Sequence, residues 1–306
     1  MKRYLIACAG VLALNACDAQ NPGETSMTPA ETAGGSDEAP AAQTAEERLD
    51  AVLSEQDDEK KARYPFRNPK ETLHFFGVEP GMTVLDTLPG TPGWYASILI
   101  SYLGPEGHLI GADYSMDMWP LFGEFATEEW LDERRDWRAR YVEEAEALRG
   151  EDGAEVSASV YGSAPKELRE TVDVALMFRA AHHFNRFEDD GGFFTEALGE
   201  IRSVLKPGGV LGVVQHRAPE ESSDEWATGD NGYVKQSRII SFIEAAGFEF
   251  VEASEINANP NDQPTEEEFV WRLPPTLATS EDNPKLRAAM EAIGESDRMT
   301  LKFRKP

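Results

Sequence analysis

The stretch "MTVLDTLPGTPGWY", residues 82–95, decides how the rest of the chain is read. Met82 to Leu85 form an apolar run, Asp86 closes it, and a turn carrying Gly90 and Gly93 leads into "WYASILISYL" (94–103). The order is strand, turn, helix. An acid at a strand's carboxyl end, followed by a glycine-bearing turn, is how a nucleotide-type ligand site often begins, because the turn lets backbone amides approach the ligand. Further on, a second apolar run, "HLIGAD" (108–113), ends in Asp113. An acid there suits ribose hydroxyls. The alternative is that Asp113 caps the next helix, a common task for Asp.

Outward from this stretch the chain alternates strand and helix. "AEERLDAVLSEQDDEKKARYPF" (45–66) reads as one helix stopped at Pro65, with Leu49, Val52 and Leu53 on one face. "PKETLHFFGV" (69–78) is a helix closed by Gly77. Residues 120–149 read as a long charged helical region whose Trp130, Trp137 and Tyr141 are spaced for one face. Strands follow at 155–161 and 171–178, the latter apolar almost throughout, as a strand buried on both faces requires. A helix over 191–205 is ended by "KPGG", and strand 210–215, helix 234–246 and strand 248–253 come next. A Pro/Asn/Asp-rich insertion (257–285) and a helix near 285–293 precede the last strand, 298–303. The last two strands have no simple crossover between them, so the final one is expected to be antiparallel. The expected fold class is α/β: a doubly wound, mostly parallel seven-stranded sheet with one antiparallel strand. Ligands of such sheets bind outside the carboxyl ends of the strands.

The amino terminus reads differently. "MKR" followed by "YLIACAGVLAL" (4–14) is a charged segment and a short apolar segment. "LNAC", ending at Cys17, resembles the bacterial lipoprotein signal, which implies cleavage before Cys17 and lipidation of its thiol. An ordinary secretory signal is the alternative. Residues 1–16 are therefore expected to be a signal peptide, 17–45 a flexible tether poor in large apolar residues, and 46–306 the folded domain, with insertions near 116–150 and 257–297. The expected location is the periplasmic face of a bacterial envelope, with membrane contact through the lipid only. The second cysteine, Cys8, lies in the apolar segment, so intramolecular disulfides and thiolate metal sites are excluded. A formal charge of −27 makes nucleic acid an unsuitable partner.

"VLDTLPGTPGWY", "LGPEGHLIGADYS", "VDVALMFRAAHHF" and "EIRSVLKPGGVLGVV", in that order, are similar to the class I S-adenosylmethionine-dependent methyltransferases. Together with "SDRMTLKFRKP" they look like a family of exported bacterial predicted methyltransferases, over about residues 60–306. The resemblance implies S-adenosylmethionine as cofactor. It implies cofactor contacts at Asp86, Leu88, Pro89, Gly90, Gly93 and Tyr95 in the first loop, at Asp113 and Tyr114 after the second strand, and at Ser163 where related chains carry an acid. It places Arg179, His182 and His183 where the transferable methyl would point, the histidines as general bases if the acceptor must lose a proton. If they sit on extended chain, the two histidines face opposite ways. A His182/His183/His216 metal site lacks helical pairing and cysteine support, and no metal is expected.

The departures gather at the first loop. Leu88 and Pro92 stand where glycines are usual, and Leu does not reach positive φ cheaply. Ala180 and Gln215 also replace polar residues of the narrower family. Two readings follow: a methyltransferase acting on a small molecule or envelope component, and a non-catalytic binding or scaffold lipoprotein that keeps the fold. An open cleft between Asp86, Gly90 and Asp113 would favour the first. A cleft filled by Leu88, Trp94 or Tyr95 would favour the second, as does a periplasm without an evident supply of the cofactor.

Overall fold

The computed structural model describes residues 43–90 and 93–306. The expected signal segment, most of the tether, Cys8, Cys17 and Pro92 lie outside the described residues. Eight strands are found: β1 (Thr83–Thr87), β2 (His108–Asp113), β3 (Glu155–Val160), β4 (Val172–Phe178), β5 (Leu205–Ala218), β6 (Val234–Lys235), β7 (Glu249–Ser254) and β8 (Arg298–Arg304). Seven of them form one continuous path, β3-β2-β1-β4-β5-β8-β7, while the two-residue β6 pairs with the far end of β5. The path from β3 to β5 is parallel, and β8 inserts antiparallel between β5 and β7. This is the expected doubly wound sheet with one antiparallel strand, the Rossmann-like class I methyltransferase arrangement. It also solves the problem of two late strands: β8 returns between neighbours already separated by a helix.

Alternation along each strand builds two cores. Val84, Val174, Leu176 and Val214 face helices Ala45–Glu55, Pro69–Phe76, Ala96–Leu103 and Trp137–Arg149. Leu85, Ala175, Met177 and Val213 face helices Ala181–Arg186, Phe193–Val204 and Gln236–Ala245. The period of two is what a sheet covered on both faces requires. Gly111 shows how tightly the first layer closes: a Cβ there would lie 2.5 Å from the Tyr141 ring.

Three boundaries differ from expectation. The single helix over 45–66 is three, Ala45–Glu55, Asp58–Lys61 and Tyr64–Arg67. Gln56 turns extended, and Asp57 caps the next turn by accepting from the Lys60 amide at 2.8 Å. Pro65 does not stop a helix; it sits in the first turn of the last one, where its missing N–H is harmless. The long region 120–149 is also broken, at Gly123 and again at Asp136, into a 3-10 stretch and helices Glu128–Arg135 and Trp137–Arg149. Trp137 and Tyr141 are core residues as their spacing implies, but Trp130 belongs to a different helix and a different neighbourhood. "KPGG" is not a loop: it already belongs to β5, where the Gly208 amide donates to the Lys305 carbonyl. The insertion after β7 packs onto the domain through Asp262, whose carboxylate accepts from Tyr233, Arg272 and the Asp297 amide at 2.9 Å each. No helix among the described residues is long and apolar enough to cross a membrane.

Candidate active site at the carboxyl edge of the sheet

The first loop keeps a glycine-like path without the glycine. Leu88 sits at φ 53° and Gly90 at φ 78°. A leucine in the left-handed region costs about 1–2 kcal/mol, so Leu88 follows the glycine path, but not cheaply. The Leu88 amide is held by the Ala112 carbonyl at 2.7 Å and its side chain packs on the core, which together hold the strained backbone. Gly93 serves a close approach: a Cβ there would fall 1.6 Å from the Pro89 carbonyl oxygen. Tyr95 lies flat on Phe178, rings 3.8 Å apart, with its hydroxyl on the Arg67 carbonyl.

Both strand-end acids are in place and both are covered. Asp86 is 3% exposed, and burial pushes its carboxyl up to about 7 against the pull of the Arg179 charge. Asp113, equally buried, accepts from Arg134 Nη2 at 2.7 Å. Burial raises the Asp113 carboxyl, and the Arg134 charge and hydrogen bond bring it down only in part. The Arg134 guanidinium is itself stacked among Trp119, Trp130 and Trp137, 4.5, 5.5 and 5.4 Å from their ring centres. The open cleft between Asp86, Gly90 and Asp113 that would favour the enzyme reading is not seen: no cavity among the described residues is lined by these three. Asp113 is covered by Arg134, delivered by helix Glu128–Arg135.

Two cavities flank the covered acid. One, of about 630 Å³, lies beyond β2 and β3 and is lined by Ser115, Asp117, Tyr161, Gly162, Ser163 and Glu196 among others. Ser163 donates to the Val160 carbonyl at 2.9 Å, so its hydroxyl hydrogen is committed. The other, of about 600 Å³, lies beyond β4 and β5. Its walls are Leu88, Phe178, Arg179, His182, His183 and His216, closed over by Trp119, Phe122, Phe125, Trp130, Arg134 and Trp271.

The histidines are not on extended chain. They occupy the first turn of helix Ala181–Arg186, and both rings reach the second cavity, 3.9 Å apart. Gln215 fixes His182: its Oε1 accepts from the His182 amide at 3.1 Å and faces Nδ1 at 3.3 Å, while its Nε2 donates to the Gly232 carbonyl. An amide oxygen only accepts, so Nδ1 carries the hydrogen and Nε2 is left a bare lone pair, buried without a partner. Tyr114 plays the same part for His183. The tyrosine hydroxyl lies 3.0 Å from Nδ1 and 3.4 Å from the Ala180 carbonyl. When it donates to the carbonyl it accepts from Nδ1–H, leaving His183 Nε2 as the acceptor. Burial lowers His182 to about 4 and takes His183 and His216 well below the usual range, so all three are neutral near pH 7. His216 is anchored through Nδ1 to Ser296 Oγ at 2.6 Å. Among the described residues no group of three or more His, Cys, Asp or Glu side chains is placed to hold a metal ion.

Arg179 ends β4 at φ 58°, with its amide on the Val214 carbonyl. Arg134, Gln215, Trp271 and Arg298 were not singled out by sequence reasoning. Gln215 was visible only as a departure, and Trp271 lies in an insertion whose packing no periodicity announces.

No family model matches the chain. A stretch of 59 residues is 39% identical to the demethylmenaquinone methyltransferase of Listeria monocytogenes; it spans 19% of this chain and 24% of that protein, about a quarter of the relative's length. Solved structures that are similar include a methyltransferase of Aquifex aeolicus (18% identity, 68% of this chain and 93% of that one, TM-score 0.43). Another is a chain from the complex of a Haloferax volcanii methyltransferase activator with a putative methyltransferase (18%, 84% and 97%, TM-score 0.48). The cyclase SpnF is a third (19%, 87% and 98%, TM-score 0.49). The fold assignment stands on the chain's own strand order.

Proposed function

We propose that the chain is an S-adenosylmethionine-dependent methyltransferase, tethered to the periplasmic face of the envelope through lipid on Cys17, with a small molecule as acceptor. The observation that carries the reading is the left-handed loop at Leu88 and Gly90, set between an acid ending β1 and an acid ending β2. The residues fit the cofactor in kind. A buried carboxyl held near 7 gains most from a cationic partner, so Asp86 suits an ammonium group. Asp113 suits ribose hydroxyls once Arg134 yields it. The cofactor, when bound, supplies an activated methyl group on a sulfonium. The chain then has to align an acceptor, for which the aromatic walls of the second cavity offer flat apolar surfaces. His182 Nε2, a bare lone pair, is placed to accept a hydrogen bond from an acceptor hydroxyl or amine and so to orient it.

A second reading is favoured by one observation: Arg134 pairs with Asp113, the acid that the methyltransferase reading assigns to the ribose. A chain that keeps this pair at all times would be a binding lipoprotein of methyltransferase fold. Methyl-labelled S-adenosylmethionine, incubated with the protein and an envelope extract, separates the two. Label transferred by the wild type and lost in Asp86→Ala supports the enzyme; no transfer above a protein-free control favours the binding lipoprotein. The anchor is read independently: Cys17→Ala should move the protein from the membrane to the soluble fraction of cells, and an unchanged distribution would rule the lipid out.

A further inference from the structure

Beside the second cavity lies a concentration of buried positive charge that the methyl-transfer reading does not use. Arg63, Arg67 and Arg298 converge on one carboxylate, Glu295. The Arg179 side chain, partly exposed, stands at the edge of the same group and makes no hydrogen bond or ion pair among the described residues. Asp86 acts on it through space only. Three guanidinium groups thus share one acid and a fourth, on Arg179, stands unpaired beside them, in a chain whose overall charge is −27. A charge partly withdrawn from water without a partner is costly unless something compensates it.

Arg179 opens onto space rather than onto protein. It lines the large cavity with His182, His183 and His216, and also a side chamber of about 110 Å³ walled by Trp271, Pro274, Pro275, Ser296 and Arg298. Two further polar atoms around it lack partners, Arg298 Nε and His182 Nε2. The backbone strain is at the same residue, φ 58° on a non-glycine. Such strain gathers where a side chain must be aimed. The aromatic side of the cavity offers Trp119, Phe122 and Trp271 as flat apolar walls.

We propose that this double chamber binds a small aromatic carboxylate, its anionic head on the Arg179 guanidinium and its ring against Trp271 and Phe122. A guanidinium matches a planar carboxylate by two parallel hydrogen bonds. No acidic side chain lines either chamber, so an anion meets no repulsion there. The ligand is a substrate only if the methyltransferase reading holds; its binding stands without it. The carboxylate end lies toward β5 and β8, leaving the opposite end of the ring near the histidine Nε2 atoms.

The test uses the full chain with no cofactor present. Benzoate, indole-3-acetate and the neutral isostere benzamide are titrated while tryptophan fluorescence and heat are followed. The proposal expects saturable, one-to-one binding of at least one carboxylate and about tenfold weaker binding of benzamide than of benzoate, a 1.4 kcal/mol difference. Arg179→Gln should abolish the preference for the carboxylate, and Arg179→Lys should restore part of it. Equal binding of benzoate and benzamide, an unchanged preference in Arg179→Gln, or no binding of either carboxylate at millimolar concentration overturns the proposal. The benzoate–benzamide comparison needs no variant, so a folding defect in Arg179→Gln does not blunt it. Failure of the methyltransferase reading would show instead as absent cofactor binding with anion binding intact.

Discussion

At the scale of single residues, the two acids of the site show what burial does to a carboxyl. Asp86 is ionised at pH 8 only at the expense of stability. Its folded value, about 7, lies above the ordinary 3.8. Below pH 3.8 it is protonated folded and unfolded, and its effect is nil. As pH rises the unfolded chain ionises first, so stability falls between about pH 4 and 7 and stays low above that. Asp86→Asn should therefore raise unfolding free energy at pH 8 by roughly 2–4 kcal/mol and flatten that part of the pH profile. The same substitution should weaken binding of S-adenosylhomocysteine, since the amide cannot balance an ammonium. Denaturant unfolding at pH 4 and 8 checks the first; a substitution that destabilises at pH 8 would mean that the carboxylate is already satisfied. Glu295 has the opposite sign. Burial alone would raise it, but Arg298, Arg67 and Arg63 hold it at about 2 against an ordinary 4.5. Its contribution is complete above pH 4.5 and is lost as pH falls toward 2. Glu295→Gln should cost about 3 kcal/mol at pH 7, a penalty that shrinks toward pH 2. A constant penalty across that range would place the effect in packing instead.

At the scale of elements, helix Glu128–Arg135 decides whether the site is open. It contributes no fully buried residue of its own, and it is held by Arg134 stacked on Trp119 and Trp137, by Trp130 against Trp119, and by the pair with Asp113. That is a local attachment, with little core behind it. Arg134→Ala should lower unfolding free energy by about 1–2 kcal/mol and raise affinity for S-adenosylhomocysteine about tenfold, by freeing Asp113. Unchanged or weaker affinity in a folded Arg134→Ala would show that Arg134 belongs to the bound state. This element was the least legible part of the chain. The charged run 120–149 carries strong helical signals but no mark of its two breaks, and Trp130 looks like one more residue on the face of Trp137 and Tyr141. The break at Asp136 puts it on a different helix from those two, one turn from Arg134. Most strands, by contrast, were readable to within a residue or two, because continuous apolar runs such as "VDVALMF" mark strands buried on both faces; β5, which starts at Leu205 rather than 210, and the short β6 were not. The histidines mark the limit of that reading: nothing in "FRAAHHF" says that the strand ends at Phe178 and that a helix starts at Ala181.

At the scale of the molecule, the sheet places chemistry where its topology implies, at the carboxyl ends of β1, β2, β4 and β5. Asp86, Asp113, Arg179, His182 and His183 all reach that edge, so the residues were legible as a set. Their states were not. Which acid is paired, which histidine nitrogen is bare and which arginine stands alone depend on Arg134, Gln215, Tyr114 and Glu295, all long-range partners. The positive φ of Leu88 belongs to the same class: the loop path is imposed by β2 through the Ala112 carbonyl, and it overrides the residue's own preference. The account as a whole stands or falls on the cofactor. Calorimetric titration of S-adenosylhomocysteine into the wild-type chain and into Asp113→Ala is the most direct test. Saturable one-to-one binding to the wild type, weakened at least tenfold in a folded Asp113→Ala, is the expected result. No heat with the wild type at millimolar ligand, or equal affinity in the two proteins, would contradict it.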